Sequence, residues 1–160
     1  MVKLDPIAEF REDHRKVRDG LLELMEALQL KDIATARKIL GKINVLVGPH
    51  FRYEEETLYP ALRVLLGEYV DQLLKEHDGV IATARSCAGL LKKDGLTDEE
   101  AKQAAAAART LLIHVSNCDG LSILSERLSK KEIDNLSEKL AAARKAGVPL
   151  LDWAETIRGK

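Results

Sequence analysis

Aromatic residues are scarce in this sequence and make up 4% of its 160 residues. β-Sheets favour aromatic and β-branched side chains, whereas the residues that dominate here, Leu, Ala, Glu, Lys and Arg, are strong helix formers. The composition therefore argues against a β-rich protein and predicts an all-α fold. A chain of this length suits one domain, and we expect residues 1–160 to form a single unit with its own core.

Cysteine is equally rare, with Cys87 and Cys118 as the two examples. Two isolated cysteines are too few for a disulfide framework or for a cysteine-rich zinc site. We expect both to be reduced thiols that act as small core residues.

An excess of one charge and a long apolar run are also missing. The 25 basic and 26 acidic residues leave a net charge of −1, so no global field favours nucleic acid or an anionic membrane. No stretch approaches the roughly 18 apolar residues of a membrane span, and the N-terminus does not resemble a signal peptide. These features predict a soluble, cytoplasmic protein whose partners bind at a defined site.

Apolar residues recur at spacings of three and four, which predicts amphipathic helices. Five helices are expected to begin at the Asp5-Pro6 cap, at Asp32, at about Glu68, at the capping box Thr97–Glu100 and at the capping box Ser129–Glu132. We expect the first four to build a bundle over about residues 5–127. The fifth helix and a tail would cover about residues 129–160. We expect the tail to pack across one end of the bundle.

Two prolines interrupt the second predicted helix. Pro49 cannot donate a hydrogen bond to the carbonyl four residues back, so a bend is expected just before His50. Pro60 is expected to end the helix or to start a short turn.

The four histidines fall one on each of the first four predicted helices, and each lies on an inward apolar stripe: His14, His50, His77 and His114. Four separate buried imidazoles would each need a partner, at a cost of about a few kcal/mol if unsatisfied. One shared metal centre would satisfy all of them. Glu54 strengthens this interpretation because it lies four residues after His50, on the same helix face. Imidazoles and carboxylates in a bundle core fit a first-row transition metal, including carboxylate-bridged di-iron.

Four segments in order, Asp13–Val17, His50–Glu54 followed by Leu58–Pro60, Glu76–Asp78 and His114–Asp119, resemble the hemerythrin family. The similarity is to its stand-alone bacterial and archaeal hemerythrin-like (HHE cation-binding) domains. It implies an up-down-up-down four-helix bundle, here with an additional C-terminal helix, around two carboxylate-bridged non-heme iron ions that bind dioxygen. By position it implies the ligands His14, His50, His77 and His114, with Glu54 and Asp119 as bridges.

The third helix departs from the pattern of the oxygen carriers, which have a second histidine four residues from the first. The positions four away from His77 are Leu73 and Ile81, so one iron would lack a ligand. Water, a tyrosine or another carboxylate could fill that position. We nevertheless expect all three tyrosines, Tyr53, Tyr59 and Tyr69, to pack rather than coordinate. Glu55 and Glu56 are expected at a solvated edge or as hydrogen-bond partners of the ligands.

The fourth helix leaves the choice between Cys118 and Asp119 open. On a regular helix Cys118 lies about 40° around the axis from His114, and Asp119 lies about 140° away. Helix geometry favours Cys118. A carboxylate is the better bridge between hard irons, and a π-bulge beside Gly120 would bring Asp119 round. We predict Asp119 and keep Cys118 as the alternative.

These features lead to three functional hypotheses. The first is reversible binding of dioxygen, or of nitric oxide, for storage, delivery or sensing. The second is an enzyme that turns over peroxide, oxygen or nitric oxide at the incomplete centre. The third is a metal-storage or zinc-binding helical module. We favour binding over catalysis, and no particular protein partner is indicated.

Overall fold

The computed structural model describes residues 3–159, and this range is all-α, without a β-strand. Its elements are α1 (Pro6–Gln29), α2 (Ile33–Tyr53), a π-helical segment (Glu54–Leu58), α3 (Tyr59–Leu66), α4 (Tyr69–Leu90), α5 (Asp98–Asp119), α6 (Leu121–Ser125), α7 (Lys130–Ala146) and α8 (Leu150–Arg158). The predicted fold class is confirmed. None of the helices between residues 3 and 159 combines the length and the hydropathy that a membrane span requires.

Four of the five predicted helix starts have a side-chain cap, and the start at Glu68 has none. The Asp5 carboxylate accepts hydrogen bonds from the backbone N–H groups of Ile7 and Ala8, at 3.0 and 3.2 Å. Thr97 and Ser129 each form both halves of a capping box with the glutamate three residues on. Side-chain oxygens thus satisfy N–H groups that a helix start leaves without partners.

The second helix is longer than predicted. It does not end at Pro60, because α2, the π-helical segment and α3 follow one another without a break until Gly67, which has φ +55°. A π-helical turn widens the backbone just before Pro60, where the proline ring would otherwise press on the carbonyl four residues back. Pro49 is accommodated inside α2, so the bend expected there stays a prediction.

The four long helical members, α1, α2 with α3, α4 and α5, follow one another through short connections, as in an up-down-up-down bundle. Their apolar side chains form two core clusters. The boundary between the clusters passes between Phe10 and Val17 on α1 and between Leu73 and Ile81 on α4. A polar layer that contains the histidines therefore crosses the bundle between two apolar halves.

The C-terminal region forms two helices that lie along the bundle. Helix α7 packs against α1 and α2, while α8 packs against α2 and α4. The tail thus forms a helix of its own, and its Leu150, Trp153 and Ala154 enter one of the two core clusters.

Gly48 allows the chain between α7 and α8 to approach α2 closely. A Cβ atom at this position would lie 2.0 Å from the carbonyl oxygen of Val148 and 2.6 Å from the nitrogen of Leu150. Beside this contact, the Asn44 side chain accepts a hydrogen bond from the Leu151 N–H at 2.9 Å. The C-terminal region therefore docks on a part of α2 that tolerates no side chain.

We expect Gly48→Ala to destabilise the protein by about 1–3 kcal/mol, because the methyl group collides with backbone that must shift. Gly41→Ala is the matched control, since a Cβ on this α2 residue meets no atom within 4 Å. Alanine at that position should be neutral or should stabilise by up to about 1 kcal/mol through helix propensity. Urea denaturation of both variants measures the difference, and equal stabilities would contradict the close approach.

Candidate metal centre

The four histidines lie in the polar layer between the two apolar halves of the core. His77, His50 and His14 are buried, with exposed fractions of 0%, 3% and 6%, and His114 is half-buried. Aromatic rings cover part of this layer: Phe51 stacks on His77 with centroids 3.7 Å apart, and Phe10 stacks on His50 at 5.3 Å. The imidazoles are thus held in fixed orientations away from bulk water.

Each histidine bonds through its Nδ1 atom to a carboxylate on a neighbouring helical member. The pairs are His50–Asp13 (3.1 Å), His77–Glu55 (2.8 Å), His114–Glu76 (3.0 Å) and His14–Asp119 (3.0 Å). The carboxylates lie on α1, the π-helical segment, α4 and α5, and the histidines that they contact lie on α2, α4, α5 and α1. These four bonds, which we call the imidazole–carboxylate ring, form a closed circuit around the bundle.

The imidazole–carboxylate ring determines which nitrogen is available for a metal. A carboxylate accepts a hydrogen bond, so each Nδ1 acts as the donor, and in a neutral imidazole the lone pair then lies on Nε2. Carboxylates commonly orient metal-binding histidines in this way. The ring therefore leaves the Nε2 atoms for coordination.

His14 and His50 face each other through their Nε2 atoms. Their Nε2 atoms are 3.2 Å apart, and two lone pairs at this distance would repel each other. Burial alone would lower the pKa of His50, but Glu54 and Asp13 outweigh it and raise the pKa to about 10. Burial and the neighbouring His50 lower the pKa of His14. Without a metal, a proton on His50 occupies the gap.

Glu54 lies at the middle of the cluster and is fully buried. Its Oε1 is 3.3 Å from Nε2 of His50, and its Oε2 is 3.0 Å from Nε2 of His77. Oε2 nevertheless forms no hydrogen bond of good geometry with any residue in the described range 3–159. Burial favours the neutral acid, yet His50 and His77 hold the pKa of Glu54 well below its usual range. The result is a buried carboxylate with one oxygen directed at each of two histidines.

Tyr59 brings an oxygen into the site beside His77. Leu73 and Ile81, four residues to either side of this histidine, are buried in the core and offer no ligand atom. The Tyr59 hydroxyl lies 2.9 Å from Nε2 of His77 and 3.8 Å from the Cys118 sulfur. The aromatic ring of Tyr59 is buried, as expected of a packing residue, but the Tyr59 hydroxyl faces the site.

On α5 the two alternatives take different places. Cys118 is buried and its thiol donates to Glu54 Oε1 at 2.9 Å, whereas Asp119 points to Nδ1 of His14. Burial and the Glu54 carboxylate raise the pKa of Cys118 well above its usual value. The π-bulge that would bring Asp119 round is not formed, because α5 is α-helical through Asp119. On a regular helix Cys118 faces inward and Asp119 sideways.

Ligand atoms of one trio all lie within 4.8 Å of one another: those of His14, Glu54 and Cys118. Imidazole nitrogen, carboxylate oxygen and thiol sulfur are all common ligands of transition metals. The donor set and the Glu54 oxygen without a hydrogen bond both fit a metal.

Sequence reasoning missed part of the imidazole–carboxylate ring. Asp13, which is 2% exposed, and Glu76 were named only as the first residues of two matching segments, without a role. Both directly precede a histidine, His14 and His77. Adjacent helical residues point about 100° apart, so a carboxylate beside one histidine is directed towards the neighbouring helix. That adjacency is the signal from which these partners could have been found.

The family model of the hemerythrin HHE cation-binding domain matches residues 5–120, which include α1 to α5 and all four histidines. The chain belongs to the hemerythrin family. It is accordingly a metal-binding helical domain of that family, and α7 and α8 lie beyond the matched residues. A search of curated proteins and a search of solved structures each returned no match.

We expect the stability of the metal-free protein to fall between pH 7 and 8.5. The folded pKa of His50, about 10, exceeds the ordinary value of 6.5, so its proton stabilises the fold fully below pH 6.5. This contribution is lost as the pH rises towards 10, by at most about 1.4 kcal/mol per pH unit for one proton. Urea denaturation of metal-free protein measures it.

His50→Gln is the control for this pH dependence and should give a shallower slope, because it removes one of the two histidines whose pKa is raised. The other is His77, where Glu54 and Glu55 outweigh burial. Ionisation of the two cysteines in the unfolded chain begins near the top of this window, but it is common to both proteins and cancels in the comparison. A free energy of unfolding that is constant or rises over this window would contradict the assignment of the proton to His50.

Proposed function

We propose that this hemerythrin-family domain holds two non-heme iron ions and reversibly binds dioxygen or nitric oxide. The observation that carries the proposal is the placement of Glu54, whose two oxygens approach the Nε2 atoms of two different histidines, His50 and His77. A carboxylate in this position can bridge two ions in a bundle core. Two irons would supply the electrons with which a diatomic ligand is bound.

The ligands divide into two groups on either side of Glu54. His14 pairs with His50, and the centroids of their rings are 4.8 Å apart. His77 pairs with His114, with centroids 5.4 Å apart. We assign one iron to each pair and Glu54 to both. The fully buried carboxylate and the surrounding carboxylates would balance the charge of the two cations.

Asp119 was predicted as the second bridge, but its contact with His14 favours a different role. We propose that Asp119 orients His14 and that Cys118 occupies the inward position on α5. On the other side of Glu54, the Tyr59 hydroxyl lies beside His77. It is the nearest candidate for the coordination position that a second histidine on α4, the third predicted helix, would have taken. The centre would then have fewer strong ligands than the family pattern, which leaves room for a small exogenous ligand.

An apolar cavity of about 60 Å³ supports a diatomic ligand. His14, His50 and His114 line it together with aliphatic side chains of α1, α2, α4 and α5 and a run of alanines on α5. Apolar cavities of this kind hold water poorly because water finds too few hydrogen-bond partners, and they admit small apolar molecules. The cavity would let a gas reach the histidines while limiting the access of water and protons.

A zinc site is the second candidate, and Cys118 is the observation that favours it. Thiolate is a softer ligand than carboxylate and suits zinc, and the trio His14, Glu54 and Cys118 could bind one zinc ion. Metal content separates this alternative from the di-iron centre.

The deciding experiment is metal analysis combined with an optical spectrum of the reduced protein before and after exposure to air. We expect two irons per chain and a new charge-transfer band that disappears when the gas is removed. One zinc per chain and no visible band would instead establish the zinc module. Steady consumption of oxygen or peroxide with release of product would identify an enzyme.

Variants test the ligand assignment. Glu54→Ala should prevent binding of two irons because it removes the proposed bridge, whereas Asp119→Asn should keep two irons with an affinity about 10- to 100-fold lower. Glu56→Ala is the control, since Glu56 is exposed and pairs with Arg52. Full iron content in Glu54→Ala would exclude Glu54 as the bridge, and loss of an iron in Asp119→Asn would restore Asp119 as a ligand.

The cavity can be tested through the rate of ligand association. Ala108→Leu fills part of the cavity and should slow the association of dioxygen or nitric oxide severalfold. Ala106→Leu is the matched control, because Ala106 is exposed on the same helix and does not line this cavity. Stopped-flow absorbance measures both rates. Equal rates in the two variants would mean that the ligand reaches the histidines by another path.

A further inference from the structure

We propose that Arg144 and Arg158, on the two C-terminal helices, are positioning residues of the metal centre. Each arginine binds a carboxylate of the imidazole–carboxylate ring and through it orients one histidine, His50 or His77. The expected effect on metal affinity rests on the proposed metal site. The contacts between the arginines, the carboxylates and the histidines lie within the protein and can be tested without a metal.

Arg144 of α7 acts on His50 through Asp13. Its Nη2 donates to Asp13 Oδ1 at 3.0 Å and its Nη1 donates to Glu9 Oε2 at 2.5 Å. The other oxygen of Asp13 accepts from His50 Nδ1 at 3.1 Å. Arg144 therefore holds the Asp13 carboxylate in the position where its other oxygen accepts from His50.

Arg158 of α8 acts on His77 through Glu55. Its Nη2 donates to Glu55 Oε1 at 2.5 Å, and the same oxygen accepts from His77 Nδ1 at 2.8 Å. Its Nε donates to Asp78 Oδ1 at 2.5 Å, and the guanidinium lies 5.6 Å from the centroid of the Trp153 ring. Two carboxylates and an aromatic face thus fix the guanidinium, and the guanidinium fixes Glu55.

The two histidines that receive this support are the two whose Nε2 atoms flank Glu54. Within residues 3–159, neither α7 nor α8 contributes a partner to Asp119 or Glu76, the carboxylates of the other two histidines. Asp119 instead lies 3.6 Å from the half-exposed Arg11 of α1. The C-terminal helices therefore act on the histidines at the proposed bridge.

The C-terminal helices are anchored independently of these arginines. The Gly48 contact holds the segment between α7 and α8 against α2, and Ser137 of α7 donates to the Leu4 carbonyl at 2.7 Å. Arg85 of α4 donates to the Gly159 carbonyl at 2.7 Å, next to Arg158. Replacement of one arginine should thus change the orientation of a histidine without releasing the helix that carries it.

The test uses Arg144→Met and Arg158→Met, which keep much of the apolar stem and remove the guanidinium. In metal-free protein, NMR of the imidazole Nδ1–H protons should show faster solvent exchange at His50 in the first variant and at His77 in the second. His77 should change little in Arg144→Met, and His50 should change little in Arg158→Met. Competition titration with Co²⁺ should give an affinity about tenfold lower in each variant, the lower end of the effect of removing a direct partner of a ligand.

Arg63→Met is the matched control, because Arg63 forms a similar bridge with Asp71 on the exposed surface and contacts no histidine. Arg144→Lys and Arg158→Lys should recover part of the protection and affinity, since lysine keeps the charge but not the fork of donors. Circular dichroism confirms that each variant is folded.

The proposal is overturned if both methionine variants match Arg63→Met in Nδ1–H exchange, or if the two variants affect both histidines equally. Failure of the wild-type protein to bind metal would refute the proposed function, while the exchange measurement would still decide whether the arginines position His50 and His77. Normal metal binding with unchanged exchange would refute the positioning role alone.

Discussion

The structure depends above all on the imidazole–carboxylate ring, because it reconciles a polar layer with a core that is otherwise apolar. Four buried or half-buried imidazoles would each be costly without a partner. Here every Nδ1 has a carboxylate from the neighbouring helical member, so the cost is met by bonds between helices rather than within one. The same bonds turn the Nε2 atoms inward. A requirement of folding and a requirement of metal binding are thus met by one set of contacts, and the short spacing of His14 and His50 leaves a gap that a cation or a proton must fill.

The C-terminal helices extend this arrangement beyond the part of the chain that matches the family. Helices α7 and α8 contribute apolar side chains to both core clusters and two arginines to the imidazole–carboxylate ring. Gly48 links these roles, since it lets the C-terminal segment reach α2 two residues before His50. Packing and electrostatics therefore act on the same stretch of α2. The π-helical segment that follows is also at the site, because it holds both Glu54 and Glu55.

The electrostatic character of the site differs sharply from that of the cavity beside it. Glu54 is ionised and surrounded by imidazoles, whereas a few residues away the cavity is lined by aliphatic side chains and alanines. This contrast suits the binding of a small apolar molecule at a charged centre, because the ligand can enter where water is poorly held. The small side chains of the alanine run on α5 leave space beside the histidines.

The sequence by itself determined the helices and the histidines of the layer. Caps such as Asp5, Thr97 and Ser129 act locally, and an apolar spacing of three and four depends only on helix geometry, so both can be read from neighbouring residues. The inward positions of the histidines follow from the same periodicity. Tertiary structure decided how the carboxylates pair, because Asp13, Glu76 and the histidines that they serve are on different helices. It also decided that the second helix runs through Pro60 and that Arg144 and Arg158 reach the site, because contacts between distant segments form only when the helices pack. Helix geometry alone already favoured Cys118 over Asp119 as the inward residue of α5, and packing added the contact of its thiol with Glu54.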